Sequence, residues 1–437
     1  MDDLQIQIVL TYKVPEKDLT LNGLLRGLER DRDEIMRTVV GTILSAIEEK
    51  TLENLPGRFV RDGHQSSARK FMTSFGEVRH RMAQVRDTAG AISRPLEKRL
   101  QIVPYRQYQG DEMEAAIGQA IHLSYRVAVQ ETRRVKGQGP SKSTLWRRLQ
   151  DLAETAGAWP PLKHRPFQFL MVDGTKVRLQ DEGNSLGSAE MRWALASEDV
   201  GKSFEIVGFW VDKDWATIRQ DLARRLNYRR LRVLFSDGGP GIADNLLTDR
   251  MDQQRCVWHG KHDFRYLLYA DQVKGDEQRV FLEILDRNPL FHLSKDDLEA
   301  LAPDDAPAVR KLVAAIRGGF AELLAALPAE KYPKTRTYLE NFAGQAMVFF
   351  DYWLDHQRWI PITTNALESA FSRVVNRIKR IGRRWSENGL LNWLMIAFRK
   401  IFQPELWTAL WDQYLRHHRR LQLVSLCIKY RWINAIT

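Results

Sequence analysis

The sequence predicts a mixed α/β chain, a sheet layer with helices packed on it, set between mainly helical segments. Three observations carry that expectation. Four strand-like runs cluster within residues 167–235, an amphipathic helix precedes the last of them, and most of the remaining chain repeats apolar residues at helical spacing.

Taken in order, Leu4 to Val14 alternates like a short strand, and Leu21 to Leu55 has helical spacing through Leu24, Leu28, Ile35, Val39, Ile43 and Ile47. Arg69 to Asp87, with Gly76-Glu77 at its middle, reads as a basic β-hairpin, so residues 1–95 form a leading region of helix and hairpin. Asp111 to Lys136 reads as one long amphipathic helix. Gly137 to Ser141 (GQGPS) breaks it, and a second helix starts at Lys142. Two helices around a Gly/Pro turn resemble a helix-turn-helix within residues 96–160. Lys142, Ser143 and Thr144 at its second helix, with Arg147 and Arg148, would face a polyanion while Leu145 and Leu149 pack inward. An ordinary helical hairpin with a basic face remains open. The same GQGPSKST segment superficially suggests a nucleotide-binding loop, but Ser141 stands where that motif needs Gly, and no strand precedes it.

The Pro-rich segment 160–166 marks the main boundary, and strands begin just after it. They are Phe167 to Leu179, Glu190 to Ser197, Phe204 to Val211 and, beyond a helix at Trp215 to Leu226, Leu231 to Phe235. Within the first, Asp173-Gly174 reads as the turn of a hairpin and puts a carboxylate at a strand tip. The last strand delivers Asp237 to a Gly-rich turn, and functional groups gather beyond the carboxyl ends of strands in open α/β sheets. Arg255 to His259 (RCVWH) reads as a fifth, short strand. From Lys261 to His356 the pattern is helical. Ile362 to Trp385 then starts a helix with Thr as its cap and sets Asn365, Glu368, Ser372, Asn376 and Lys379 on one face. Two helices, near Glu387 to Ile401 and Leu406 to Arg420, follow.

Charge narrows the function. Lys+Arg number 66 against 55 Asp+Glu, a formal charge of +11, which favours a polyanionic partner. No apolar run approaches the about 18 residues of a membrane span, and MDDLQ does not open like a signal peptide, so a cytoplasmic protein is expected. Cys256 and Cys427 are the two cysteines, too few for a disulfide framework or a Cys-based zinc module. Asp173, Asp237 and Glu368 together could ligate two Mg²⁺ ions, since Mg²⁺ takes a few carboxylates and fills its other positions with phosphate and water. Such a pair of ions serves phosphoryl displacement.

In the order MVDG, SDGG, CVWH and TTNALES, the chain resembles the DDE transposases of bacterial insertion sequences in the Mutator-like superfamily. The aspartates are 64 residues apart (237 − 173), and 131 separate Asp237 from Glu368 (368 − 237). The resemblance covers roughly Phe167 to Phe402. It implies an RNase H-like catalytic core (residues 161–272 and 358–403) interrupted by an all-helical insertion (273–357), with a helical tail at 404–437. It implies Mg²⁺, replaceable by Mn²⁺, on Asp173, Asp237 and Glu368, and end cleavage followed by 3′-hydroxyl transfer. The partners implied are double-stranded DNA, as terminal inverted repeats and target, and further copies of the chain in a dimer or larger assembly at the bacterial nucleoid. Cys256, His259 and Asn365 match its Cys-x-x-His and Asn-x-x-Glu elements. His259 could order the scissile phosphate or assist proton transfer, and Trp258 and Trp385 could stack on an unpaired base. Arg373, Arg377, Asn376, Lys379, Arg380, Arg383 and Arg384 would meet phosphates near the ions. Relatives often carry a Cys-x-x-Cys pair ahead of the helix-turn-helix, but Gln84 to Ser93 has no cysteine. A structure-selective nuclease and a non-catalytic, domesticated DNA-binding protein are the alternative readings.

Overall fold

A computed structural model describes residues 7–11, 20–180, 186–301, 305–381 and 385–415. The chain divides into two compact units, residues 1–156 with 392–437, and residues 157–391. The expected strand at Leu4 to Val14 falls mostly outside the described residues, and Gln7 to Thr11 are not strand.

In the first unit α1 (Leu21–Glu53) begins where the Thr20 hydroxyl accepts a hydrogen bond from the Gly23 N–H at 3.1 Å. The strands β1 (Phe59–His64), β2 (Arg69–Thr73), β3 (Gly76–His80), β4 (Ala83–Asp87) and β5 (Ile92–Ser93) follow. The hairpin is shorter than expected: β2 pairs with β3, while β4 leaves to join β1 and β5. Phe71, Val78, Met82 and Leu96 form the core against Val40, Leu44 and Ile47 of α1. Next come α2 (Pro95–Arg99), α3 (Gly110–Ala120), α4 (Tyr125–Lys136) and α5 (Lys142–Ala156). The single helix expected from Asp111 to Lys136 is therefore two. The first ends at Ala120, and Ser124 starts the second, its hydroxyl capping α4 by accepting from the Val127 N–H at 3.3 Å. Gly137, at a left-handed φ of 73°, closes α4.

The second unit is built on β6 (Phe169–Gln180), β7 (Leu186–Ser197), β8 (Glu205–Val211), α6 (Trp215–Arg225), β9 (Val233–Ser236), α7 (Ile242–Leu246) and β10 (Asp252–Arg255). Their sheet runs β10-β9-β6-β7-β8, with β6, β7 and β8 antiparallel and β6, β9 and β10 parallel. Leu170, Val172, Ala194, Val207 and Leu234 bury one face against Trp215, Ile218 and Leu222 of α6 and Ile242 of α7. The other face carries Trp193 and Phe169, whose rings meet Phe371 at 5.1 Å and Tyr352 at 5.8 Å.

Two expectations change here. Asp173-Gly174 is not a turn: β6 runs through it, with Gly174 paired to Arg192 in an unbroken register with β7. The fifth strand also lies upstream of RCVWH. β10 ends at Arg255, and Cys256 caps α8 (Val257–Ala270). Gln254 holds this polar strand in the interior, donating to the Ala346 carbonyl at 3.1 Å and accepting from the Phe349 N–H at 2.8 Å.

The chain then continues through α9 (Gly275–Asp286), α10 (Lys295–Ala300), α11 (Ala306–Ala325), α12 (Pro333–Gln345) and α13 (Val348–His356), with no strand among the described residues. Phe320 and Phe342 pack edge to face at 6.1 Å in the interior of this block. Then α14 (Asn365–Val375) lies against β6 and β7 and widens into a π-helical turn at Asn376–Ile381. α15 (Glu387–Phe402) spans the division between the units, and α16 (Pro404–Tyr414) belongs to the first. The part of the expected last helix beyond Leu415 is outside the described residues.

Candidate active site

Strand lengths bring two acids together. β9 pairs with β6 from Phe169↔Val233 to Met171↔Phe235, so Asp173, farther along β6, and Asp237, in the loop just after β9, both lie past the shared parallel stretch. The charge of Asp237 reaches Asp173, and burial together with that charge lifts the Asp173 carboxyl to about 7, with Glu368 adding to the rise. Its own turn back to the Gly174 N–H, at 2.6 Å, and the nearby His259 oppose the rise only in part. Asp237 Oδ1 accepts from the Gly239 N–H at 2.8 Å.

Arg255 shapes the Asp237 loop, a role that residue type and spacing alone do not separate from those of the other basic residues. Its Nη2 donates to the Asp237 carbonyl at 3.0 Å, and its guanidinium lies 4.5 Å from the Tyr338 ring centre and 5.4 Å from that of Phe342. The loop passes so close that a Cβ on Gly238, at φ +82°, would sit 2.1 Å from Arg255 Nε. Only glycine meets both demands.

Glu368 enters on the first turn of α14. Thr364 stands at the N-cap position, but its hydroxyl does not cap the helix and is buried without a partner. Its N–H instead donates to Cys256 Sγ at 3.4 Å, and the Val257 N–H donates to the Ile362 carbonyl at 3.0 Å, so the starts of α8 and α14 are tied together. Glu368 Oε1 and His259 Nδ1 are both buried without a hydrogen-bond partner. Burial alone would lower the His259 pKa. Hydrogen bonding and charge from Cys256, with Asp173 and Asp237 behind, outweigh it and hold the imidazole up at about 9. Burial would raise the Cys256 thiol, but hydrogen bonds from His259 and Thr364 bring it below its usual value.

Among the described residues, no three His, Cys, Asp or Glu side chains gather closely enough to hold one metal ion. The donor chemistry nonetheless suits hard cations bound by carboxylates in pairs: mutually repelling, half-buried acids, one with an oxygen lacking any partner.

The remaining candidates scatter. Asn365, Arg373, Asn376 and Arg380 are exposed, and Lys379 donates to Thr175 Oγ1 at 2.6 Å while lying over the Phe371 ring. Asn376, in αR conformation at the end of α14, continues the face of Asn365, Glu368 and Ser372, while Lys379 lies within the π turn that starts there and departs from the regular spacing. Arg377 is buried over Trp385. Trp385, 5% exposed, bridges to Leu179 and is packing, not an open platform, whereas Trp258 is 50% exposed. Arg383 and Arg384 lie outside the described residues. On α5, Lys142, Ser143 and Arg147 are exposed, Thr144 shares a hydrogen bond with Ser141, Arg148 is paired with Asp151 at 3.4 Å, and Leu145 and Leu149 are buried.

No helix of the described residues is long and apolar enough to cross a membrane. Residues 24–399 match the family model described as Transposase, Mutator family. No curated protein matches the chain.

Proposed function

The chain belongs to the Mutator family of transposases, and from that premise we propose that it is a DDE transposase of an insertion sequence. It binds transposon-end DNA, cleaves a strand there and joins the freed 3′-hydroxyl to target DNA. The observation that carries this reading is the mutual repulsion of acids from three elements: Asp173 within β6 feels the charges of Asp237, just after β9, and of Glu368 on α14. Counted along the sheet, the strands run fifth, fourth, first, second, third, which supports an RNase H-like core.

Asp173, Asp237 and Glu368 would hold Mg²⁺, or Mn²⁺ in its place, and the bound ions supply charge stabilisation to the attacking and leaving oxygens of an in-line displacement. Arg255 holds the Asp237 loop in place through the backbone carbonyl. His259, kept protonated by the nearby Cys256, Asp173 and Asp237, would offer a ring N–H to the scissile phosphate. Arg373, Arg380 and Lys379 follow Glu368 on the same helix and its π extension and neutralise flanking phosphates, while Lys142, Ser143 and Arg147 on α5 contact the transposon end in helix-turn-helix fashion. Two DNA ends are brought together by a dimer or larger assembly. A structure-selective nuclease would share the acids but would not join a 3′-hydroxyl to a second duplex.

The test is Asp237→Asn, which leaves shape and packing nearly unchanged. Cleavage of an end-containing duplex with Mg²⁺ should vanish while binding to that duplex persists. Retained cleavage overturns the assignment.

A further inference from the structure

Helix α8 leaves the acidic centre with a second constellation that this chemistry does not use. Trp258, His262 and Tyr266 recur every four residues, about 6 Å apart along one helix face. The Trp258 and His262 rings stack with centroids 4.8 Å apart and planes inclined by 13°, and His262 leans on Tyr266 at 5.4 Å. Core packing does not account for the row, since Trp258, Tyr266 and Tyr269 are 50%, 55% and 58% exposed. Several exposed large rings in one row mark a contact surface more often than chance exposure does.

Cations lie on the same rings. The Arg265 guanidinium is 5.1 Å from the Tyr266 centroid, and the Lys274 ammonium is 4.7 Å from that of Tyr269. A cleft of about 540 Å³ lined in part by Trp258, His262 and Arg265 runs beside the row toward α9. Its other cations are already engaged, Lys261 with Asp286 and Arg279 with Asp276. An occupant held there is therefore held more by ring stacking than by phosphate neutralisation.

We propose that this face of α8 is a stacking track for an unpaired segment of DNA next to the cut. Bases in a closed duplex hide their faces, so the track fits single-stranded DNA. It starts beside the candidate site: the Trp258 ring meets that of His259 edge to face with centroids 4.8 Å apart. This inference rests on the transposase reading.

The experiment uses the full chain with EDTA, so that binding is read apart from cleavage. Fluorescence anisotropy follows a labelled short oligothymidylate and a duplex of equal length. Trp258→Ala should weaken single-strand binding about tenfold, and Trp258→Ala with Tyr266→Ala about a hundredfold. The Phe versions of both changes should keep most of it, and duplex binding should not move. Unchanged single-strand binding in the double Ala variant overturns the track. So does an equal loss on duplex, or a change confined to self-association in sedimentation, which would make the row a protein contact. If the single-strand result holds while Asp237→Asn still cleaves, the DDE reading fails alone; if Asp237→Asn is inactive and single-strand binding is unmoved, the track fails alone.

Discussion

Two acids, half-buried Asp173 in one unit and fully buried Glu112 in the other, have similarly displaced affinities for a proton and opposite meanings. Asp173 is lifted to about 7 by burial and then by Asp237, with Glu368 contributing. Glu112 on α3 is also lifted to about 7, by burial and then by Asp111, and Lys136 pulls it back only slightly. Glu112 is 0% exposed with both oxygens lacking partners. What separates them is convergence. Three elements carry acids and a histidine toward Asp173, while the charges that reach Glu112 are those of Asp111, its neighbour on the same helix, and of Lys136 on α4. A perturbed acid alone does not mark a site; like charges assembled from separate elements, against their repulsion, do.

Breaking Asp173 should therefore have the largest functional effect. Asp173→Asn keeps the shape but removes a ligand, and strand cleavage should fall about a thousandfold or more. Its thermal midpoint at pH 8 should hold or rise, because a desolvated, repelled charge is gone. A variant that loses activity by losing its fold would sink the comparison. Glu112→Gln should show the reverse, with cleavage retained and stability changed. A carboxyl whose folded affinity is raised binds its proton more tightly folded than unfolded, so stability falls as pH rises from 4.5 through about 7. The full loss, about 3 kcal/mol, is present above that window and absent below it. Chemical denaturation of the first unit's transition at pH 5 and pH 8 should show this drop in the wild type and lose it in Glu112→Gln.

How much of this was legible differs by element. The starts of α5 and α6 and the positions of Asp237 and Glu368 follow from local signals, a break, a cap or a Gly-rich turn. Asp173-Gly174 was not legible, because the same dipeptide makes a turn or a strand and the choice belongs to the long register with β7. β10 was misplaced because its interior residues, Gln253, Gln254 and Arg255, are polar, and they are buried through partners far along the chain. Hydropathy cannot see a strand held in that way. Arg255 itself is one of 66 Lys+Arg, and only its contact with the Asp237 loop sets it apart.

The smallest expected effect divides the acids most cleanly, because it uses stability as the readout instead of catalysis. Mg²⁺ and the proton compete for the same carboxylate oxygens, so Mg²⁺ should bind weakly below pH 7, where Asp173 holds its proton, and more tightly as pH rises through about 7. A cation that binds only the folded chain stabilises it by roughly 2.7 kcal/mol at a hundred times its dissociation constant. Adding Mg²⁺ at pH 8 should thus raise the wild-type melting temperature, and the rise should shrink at pH 6 and disappear in Asp173→Asn. Glu112→Gln should respond like the wild type, since nothing converges on Glu112 to share an ion. A Mg²⁺ response that survives Asp173→Asn, or that depends on Glu112, would mean that the acids near β6 and β9 are not where the cation is held.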